Sequence, residues 1–325
     1  MKRLSLSYLT ILATGICTSW CVFASVSLAA PTYPLLAPPP IPVQRQLRRR
    51  SEFSVNGPYF NLPVTYNSRV KQWIQYYQGP GRHIFKIWLD RSYRYLPRIK
   101  PVLIARGLPS DLAYLAMIES GFSRFAVSSA NAVGPWQFIK STARRYGLRV
   151  SWWIDERRDV VKSTIAAATY LNHLHVMFHS WYLAAAAYNM GERRVQELIA
   201  RYHTDNYWIL SKKRDFPLET EQYIPKLIAA MLIAKAPGLY GFRDLDPLLP
   251  LRYDVFNAPG GTDLVSLARY LGLPSNAITH LNPEIIRGFI PYTLRSFKIR
   301  IPIGDLAKAR RFAQSRFAMT DVATE

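Results

Sequence analysis

The sequence predicts a mainly α fold with a small α+β module near its C-terminal end. Apolar residues recur at helical spacing through residues 66–242, and strand-like alternation is absent from that region. Residues 247–304 then change character to the order strand, helix, helix, strand. A chain of 325 residues with 49% hydrophobic content is long enough for about two packed domains.

The N-terminal segment, residues 1–29, is predicted to be a secretory signal peptide. Lys2 and Arg3 form a short basic head, and a long uncharged stretch follows. Small residues at Ser27 and Ala29 favour cleavage after Ala29. An uncleaved membrane anchor is the alternative, because an uncharged stretch of this length is able to span a bilayer.

Both cysteines, Cys17 and Cys21, lie inside this segment. After cleavage we therefore expect neither a disulfide nor thiolate chemistry. A lipid-anchored cysteine is a second alternative. It is disfavoured because Ile16 and Trp20 precede the two cysteines, where a lipoprotein signal has a small residue.

The charge balance favours an anionic partner. Lys and Arg number 42 against 21 Asp and Glu, a formal net charge of +21. Such a balance suits nucleic acid, an acidic membrane surface or an acidic polymer. Export argues against nucleic acid, so none is predicted. Residues 30–65 are rich in proline and include the run Arg48-Arg49-Arg50, which predicts an extended, mobile spacer with a solvated basic patch.

The helices of the central region carry recognisable end signals. Gly107, Gly121 and Gly147 end helices, Ser180 is a good N-cap, and Pro225 lies near the start of the last helix, where proline costs least. The predicted helices are Arg82–Leu96, Pro101–Arg106, Asp111–Ser120, Ser141–Tyr146, Asp159–Phe178, Trp181–Tyr188, Glu192–Tyr202 and Glu221–Lys235.

The C-terminal module is predicted from a shorter pattern. The strand Arg252–Asn257 is followed by a helix over Asp263–Leu271 and a helical turn over Asn276–Leu281. Phe297–Ile303 alternates apolar residues and is predicted to be the closing strand. Residues 305–325 predict a basic helix with a frayed tail.

Glu119 is the most unusual residue of the helical region. It shares a helix face with Leu112 and Leu115, so its carboxyl is expected to be at least partly buried. It also lies at a helix C-terminus, next to Gly121, where the dipole disfavours an anion. Both effects raise a carboxyl pKa, as a general acid near neutral pH requires. The alternative is a glutamate paired with an arginine such as Arg124.

No acidic residue occurs between Glu119 and Asp155. Amides and hydroxyls pair with sugar hydroxyls, and aromatic rings stack on the apolar face of a sugar, so a neutral polar and aromatic stretch suits carbohydrate. Ordinary capping residues and core aromatics are the alternative. The stretch holds Ser128, Ser129, Asn131 and Gln137 together with Trp136 and Phe138.

Three histidines, His173, His175 and His179, invite a metal interpretation. The pair at i, i+4 has no acid between its members, unlike a zinc-protease helix. We therefore predict a packed or solvated helix face, and neither a metal nor a cofactor.

Three short motifs resemble those of the soluble-lytic-transglycosylase superfamily, which has a goose-lysozyme-like fold. Flanking runs are similar to its membrane-bound transglycosylase D type, and the resemblance covers residues 66–242. The motifs are Glu119-Ser120-Gly121-Phe122, Gly134-Pro135-Trp136-Gln137-Phe138 and Ala187-Tyr188-Asn189-Met190-Gly191. The flanking runs are Gly107-Leu108-Pro109, Asp155-Glu156-Arg157-Arg158 and Glu221-Gln222-Tyr223-Ile224-Pro225-Lys226.

The resemblance implies a lysozyme-like helical catalytic domain over residues 66–242 that cleaves the β-1,4 bond between N-acetylmuramic acid and N-acetylglucosamine. It implies a 1,6-anhydro product and Glu119 as the single catalytic acid/base. Peptidoglycan glycan strands are the implied partner, and the periplasm or cell envelope the implied location. Membrane association would follow from an uncleaved leader or a lipid anchor. The implied substrate-binding residues are Ser128, Gln137, Tyr188, Asn189 and Tyr223.

Two other functions stay open. A hydrolytic muramidase would need a second carboxylate, for which Asp155 and Glu156 are the candidates. A catalytically inactive wall-binding protein is the other, although intact Glu119, Gln137 and Tyr188 argue against it.

The module of residues 247–304, with Leu281-Asn282-Pro283 after its helices, resembles a LysM domain. That resemblance implies binding of N-acetylglucosamine in peptidoglycan. A purely structural role is the alternative.

Overall fold

The computed structural model describes residues 59–317, all within one compact unit. The predicted signal segment with both cysteines, the Arg48-Arg49-Arg50 run and the end of the basic tail lie outside the described residues. Within that described part, no helix combines the length and the apolar character needed to cross a bilayer.

The predicted mainly α fold is confirmed. The helices are α1 Ser68–Gln78, α2 Arg82–Ile104, α3 Ala113–Ser120, α4 Lys140–Arg145, α5 Val160–Phe178, α6 Trp181–Met190, α7 Glu192–Tyr202, α8 Tyr207–Leu210, α9 Leu218–Lys235, α10 Leu264–Tyr270, α11 Ala277–Leu281 and α12 Leu306–Phe317. The strands are β1 Asp254–Pro259 and β2 Ser296–Ile301.

Helix α3 runs through the centre of the larger core, packed against α2 and α9. Every residue from Ala113 to Ile118 is buried. A helix that is apolar all round belongs in an interior, and only its last turn, with Glu119 and Ser120, becomes partly exposed. The buried helix therefore places the carboxyl of Glu119 at the edge of the larger core.

Helix α2 is continuous, where the sequence predicted two helices, Arg82–Leu96 and Pro101–Arg106. Pro97 and Pro101 lie inside it and, like Tyr93, are exposed. Prolines on the solvent face leave the carbonyls one turn earlier open to water, so the lost hydrogen bonds are replaced by hydration. The opposite face is buried, and its packing stabilises one continuous helix. Its buried residues include Phe85, Leu89, Ile99 and Leu103.

Helix α9 begins one turn earlier than predicted, at Leu218, so Pro225 lies in its interior. A proline there frees the carbonyl of Glu221, four residues before it. The hydroxyl of Tyr207 donates to that carbonyl at 3.0 Å. The buried phenol therefore compensates for the hydrogen bond that the proline removes.

The C-terminal module has the predicted order of strand, two helices and strand. Strands β1 and β2 pair antiparallel, with Phe256 opposite Ile299 and Ala258 opposite Phe297. Their inward side chains and those of α10 and α11 form a second core, separate from the larger one.

This module packs on the loop that precedes α5. Ile154 of that loop is buried in the second core, and the amide of Asp155 donates to the carbonyl of Glu284 at 2.8 Å. Arg300 of β2 pairs with Asp159 and Glu284. The two cores are therefore joined by a buried polar contact.

The end of the predicted spacer is ordered against the helical region. Leu62 is buried, and Asn61 exchanges hydrogen bonds with Asp111, backbone to side chain in both directions, at 2.9 Å. The mobile spacer predicted over residues 30–65 is therefore wrong for residues 59–65.

Candidate active site

Glu119 is fixed by the way α3 ends. Gly121 adopts the left-handed conformation, with φ of 57°, and its amide donates to the carbonyl of Met117 at 2.8 Å. A Cβ atom at this position would lie 2.1 Å from Cδ1 of Trp88. Both the backbone angle and the indole therefore require glycine.

The structure brings two predicted site residues into direct contact. Tyr223, buried on α9, donates its hydroxyl to Oε1 of Glu119 at 2.5 Å. Glu119 itself keeps part of its surface open to solvent. The carboxyl is thus held by a phenol, on a residue at the partly exposed last turn of α3.

Burial raises the pKa of Glu119 from its ordinary 4.5 to about 7. The hydrogen bond from Tyr223 and the positive charge of Lys226 lower this pKa, and the negative charge of Glu219 raises it. Near neutral pH both forms of the carboxyl are therefore populated, so that it is able to donate a proton and to take one up.

Tyr188 connects the end of α6 to the loop of residues 134–138. Its hydroxyl donates to the carbonyl of Trp136 at 2.7 Å. Burial, followed by the charge of Glu119, raises the pKa of this phenol well above its ordinary value, so it stays protonated. The hydroxyl of Ser120 donates to the carbonyl of Pro135 at 2.9 Å. The loop is thus attached both to α6 and to the last turn of α3.

Gln137 and Ser128 use part of their polar atoms to shape the same loop region. Gln137 has a φ of 48°, and its amide nitrogen donates to the carbonyl of Gly134 at 2.8 Å. The Ser128 hydroxyl accepts from the amide of Ala132 at 3.0 Å. Both side chains are partly exposed, and among residues 59–317 neither makes a hydrogen bond to Glu119.

The aromatic residues of this loop belong to the core. Trp136 is fully buried, and its Nε1 donates to the Thr164 hydroxyl at 2.9 Å. Phe138 is also buried and meets the ring of Tyr188 edge to face. For these two rings the carbohydrate-stacking hypothesis is wrong, because neither presents a face to solvent.

Asn189 joins α6 to the first turn of α9. Its amide nitrogen donates to Oε1 of Glu219 at 3.1 Å, and its amide oxygen accepts from the Thr220 hydroxyl at 2.6 Å. Glu219 is exposed and lies one helical turn before Tyr223. This carboxylate was not predicted from the sequence, although its i, i+4 spacing from Tyr223 places both residues on one helix face.

The carboxylates suggested as partners for Glu119 are engaged elsewhere. Asp155 accepts two hydrogen bonds from Arg157, each of 2.8 Å. Glu156 accepts from Lys162 at 2.6 Å. Neither is among the charges that act on the pKa of Glu119.

Arg124 does not pair with Glu119 in this structure. Its guanidinium lies over the ring of Phe125, 5.5 Å from the centroid. The alternative of a structurally neutralised glutamate is therefore wrong for this arginine.

Lys226 is a second site residue that was not predicted from the sequence. It lies on α9 three residues after Tyr223, and its ammonium donates to the carbonyl of Ile118 at 3.1 Å. Its i, i+3 spacing from Tyr223 already indicates that the two residues share a helix face. Only the packing of α9 on α3 shows where the ammonium points.

The three histidines make separate contacts. His175 stacks on Trp181 with 3.8 Å between the ring centroids. Nδ1 of His173 shares a hydrogen bond with the Tyr146 hydroxyl at 2.9 Å, and His179 ends α5 in the left-handed conformation. Across residues 59–317, no group of three or more His, Cys, Asp or Glu side chains forms a possible metal site.

Comparison with known proteins gives a consistent result. Residues 103–211 match the family model of the transglycosylase SLT domain. The chain is 38% identical, over 192 residues, to membrane-bound lytic murein transglycosylase D of Escherichia coli strain K12; the match covers 58% of this chain and 41% of that protein. The family resemblance of the helical region is thus confirmed. The chain spans about two fifths of the length of that relative.

Two solved structures are similar over about half of the chain. The 70 kDa soluble lytic transglycosylase of Escherichia coli has a TM-score of 0.40 and 18% identity, covering 54% of this chain and 32% of that one. An inactive mutant of the lytic transglycosylase Slt of Pseudomonas aeruginosa has a TM-score of 0.37 and 22% identity, covering 47% and 25%.

Proposed function

We propose that the protein is a peptidoglycan lytic transglycosylase. It would cleave the β-1,4 bond between N-acetylmuramic acid and N-acetylglucosamine and leave a 1,6-anhydro-N-acetylmuramic acid end. The observation that carries this proposal is the carboxyl of Glu119, at the partly exposed end of α3, bonded to Tyr223 and with a pKa of about 7. The SLT domain match over residues 103–211 supports the same conclusion.

In this mechanism, protonated Glu119 donates its proton to the glycosidic oxygen as the bond to C1 of the muramic acid breaks. The resulting carboxylate then takes the proton of the C6 hydroxyl, whose oxygen closes onto C1. No water is consumed, and Glu119 ends protonated, as it began. The hydrogen bond from Tyr223 favours the carboxylate between the two steps.

We propose that the partly exposed side chains of Ser128 and Gln137 bind sugar hydroxyls beside Glu119. Tyr188 and Asn189 contribute to the same site, where they hold the Trp136 carbonyl and the Glu219 carboxylate. Because both are engaged within the protein, their contribution combines substrate binding with positioning of those groups.

We further propose that the protein acts in the cell envelope on peptidoglycan strands. The relative in Escherichia coli is named as membrane-bound and as acting on murein, and a net charge of +21 suits an acidic envelope. In this proposal, residues 247–304 are a LysM-like module that holds the enzyme on the wall, and the N-terminal segment directs export.

The second candidate is a hydrolytic muramidase, and one observation favours it. Glu219 is a carboxylate close enough to raise the pKa of Glu119, and hydrolysis uses a pair of carboxylates. A catalytically inactive wall-binding protein is disfavoured because a raised-pKa carboxyl is kept in place at a cost in stability.

Mass spectrometry of digested peptidoglycan separates these functions. Transglycosylation leaves anhydro ends, whereas hydrolysis leaves reducing ends, which are one water heavier. We expect anhydro-muropeptides from the wild-type protein and none from Glu119→Gln. Chiefly reducing ends would instead support the muramidase, and no cleavage under any condition would support the wall-binding protein.

A further inference from the structure

The ammonium of Lys226 lies at the C-terminal end of α3. It donates to the carbonyl of Ile118 at 3.1 Å, and Ile118 immediately precedes Glu119 in the chain. The last carbonyls of a helix form the negative end of its dipole, which disfavours an anion beside them. A cation bound at this carbonyl offsets that effect and fixes the backbone from which the carboxyl projects.

Two indole rings hold the ammonium in place. Its nitrogen is 5.8 Å from the ring centroid of Trp73 and 5.9 Å from that of Trp88, within the range of cation–π attraction. Both rings are themselves fixed: Nε1 of Trp73 donates to Gln222 at 3.0 Å, and the Trp88 ring packs on Gly121. The position of the charge is therefore set by the fold.

The charged and titratable groups around Glu119 come from α2, α6 and α9. Arg91 of α2 donates to the carbonyl of Gly121 at 3.3 Å, but it is not among the charges that act on the pKa of Glu119. Tyr188 and Tyr223 are phenols whose pKa is raised by burial, so they are neutral. Glu219 raises the pKa of Glu119, and Lys226 lowers it. Burial lowers the pKa of Lys226 itself, while the two carboxylates favour its charged form. Among residues 59–317, Lys226 is thus the cation whose charge lowers the pKa of Glu119.

We propose that Lys226 is a positioning residue for the reaction proposed above. It fixes the last turn of α3 and supplies the positive charge that stabilises the Glu119 carboxylate once the proton has been donated. The catalytic role of Glu119 belongs to the proposed function, on which this inference rests, but the coupling between Lys226 and Glu119 is measurable without turnover.

The test is a titration of the Glu119 carboxyl by NMR in the full chain, with the signal assigned by its loss in Glu119→Gln. Lys226→Gln removes the charge but keeps a hydrogen-bond donor for Ile118. We expect the pKa of Glu119 to rise by about one unit in this variant and to return close to the wild-type value in Lys226→Arg. Lys298→Gln, on the exposed side of β2, removes one positive charge far from the site and should change nothing.

The rate of glycan cleavage gives a second measurement. In Lys226→Gln the alkaline limb of the pH–rate profile should move upward with the pKa of Glu119, and the maximal rate should fall about tenfold, because a weaker acid donates less readily. A purely structural role would lower the rate without moving the limb.

An unchanged Glu119 pKa in folded Lys226→Gln would overturn the proposal. If that variant does not fold, Trp73→Leu removes one ring and its hydrogen bond but leaves the lysine, and a smaller rise is expected; no rise would again overturn it. A wild-type protein that releases no anhydro ends would refute the proposed function, while the titration would still decide the role of Lys226.

Discussion

Arg300 of the C-terminal module forms an ion pair with Asp159, the N-cap of α5 in the helical region. The same guanidinium binds Glu284 at 2.8 Å, and both carboxylates are almost fully buried. Asp159 also accepts from the amide of Lys162. One arginine therefore pairs with two buried acids and links the module to the beginning of a core helix.

We predict that Arg300→Gln is strongly destabilising. Removing one partner of a buried ion pair costs about 3–5 kcal/mol, because the remaining charges are left uncompensated. Denaturant unfolding at pH 7 should show this loss, whereas Arg295→Gln, an exposed arginine on the same module, should change stability little. The difference should shrink towards pH 4, where Glu284, whose pKa burial already raises, takes up a proton. Equal stability of the two variants would contradict the importance of the pair.

The second prediction concerns the stability of Glu119→Gln. The folded pKa of Glu119, about 7, lies above its ordinary value of 4.5, so the folded state binds the proton more tightly. The ionised carboxyl therefore lowers the free energy of unfolding progressively as the pH rises from 4.5 to 7. The loss is at most about 3 kcal/mol. Glu119→Gln should melt higher than wild type at pH 8 and equally at pH 4.

Glu119→Gln should also lose activity while it keeps its fold, since the amide preserves shape but has no transferable proton. In the wild type, the rate should fall as the pH rises above about 7, because the acid must be protonated to donate. Retention of more than about a tenth of the wild-type activity in the variant would contradict the single-acid assignment.

The sequence predicts a helix boundary well where neighbouring residues set it, and poorly where distant packing sets it. Helix α7 has its predicted bounds, and the structure shows local reasons for them: Gly191, with φ of 92°, precedes the helix, and Val195 and Leu198 are buried along one face. The break in α2 was wrong because two prolines are a local signal, whereas the buried face that overrides them depends on distant packing.

The site shows the same limit. A carboxylate on an apolar face next to a helix-ending glycine is a local pattern, and Glu119 was found from it. Glu219 and Lys226 lie one turn either side of Tyr223 on α9. Their spacing places them on one face, but only the packing of α9 against α3 shows that this face meets Glu119.

The fourth prediction uses Glu219 to separate the two enzyme functions. Glu219→Gln removes a charge that raises the pKa of Glu119, so the alkaline limb of the pH–rate profile should move to lower pH. For a transglycosylase the variant still cleaves and still leaves anhydro ends. Glu197→Gln is the matched change at an exposed carboxylate of α7 that is not among the charges acting on Glu119, and it should leave the limb in place. Reducing ends in the wild type that vanish in Glu219→Gln would favour hydrolysis with Glu219 as the second carboxylate.

The last prediction concerns the module. A chain that ends at Phe242 retains every buried residue of the larger core, so we expect it to fold and to cleave short glycans. It should be less stable, because it exposes Ile154, which is buried in the second core, and leaves Asp159 without Arg300. Adding Asp159→Asn to the truncated chain keeps a capping side chain but removes the unpaired charge, and should recover part of that stability in thermal melts.

Pull-down with intact sacculi should weaken for both truncated chains if the module binds the wall, whereas unchanged binding would limit the module to a structural role. Failure of both to fold would show that the two cores form one cooperative unit, joined through Arg300 and the loop before α5.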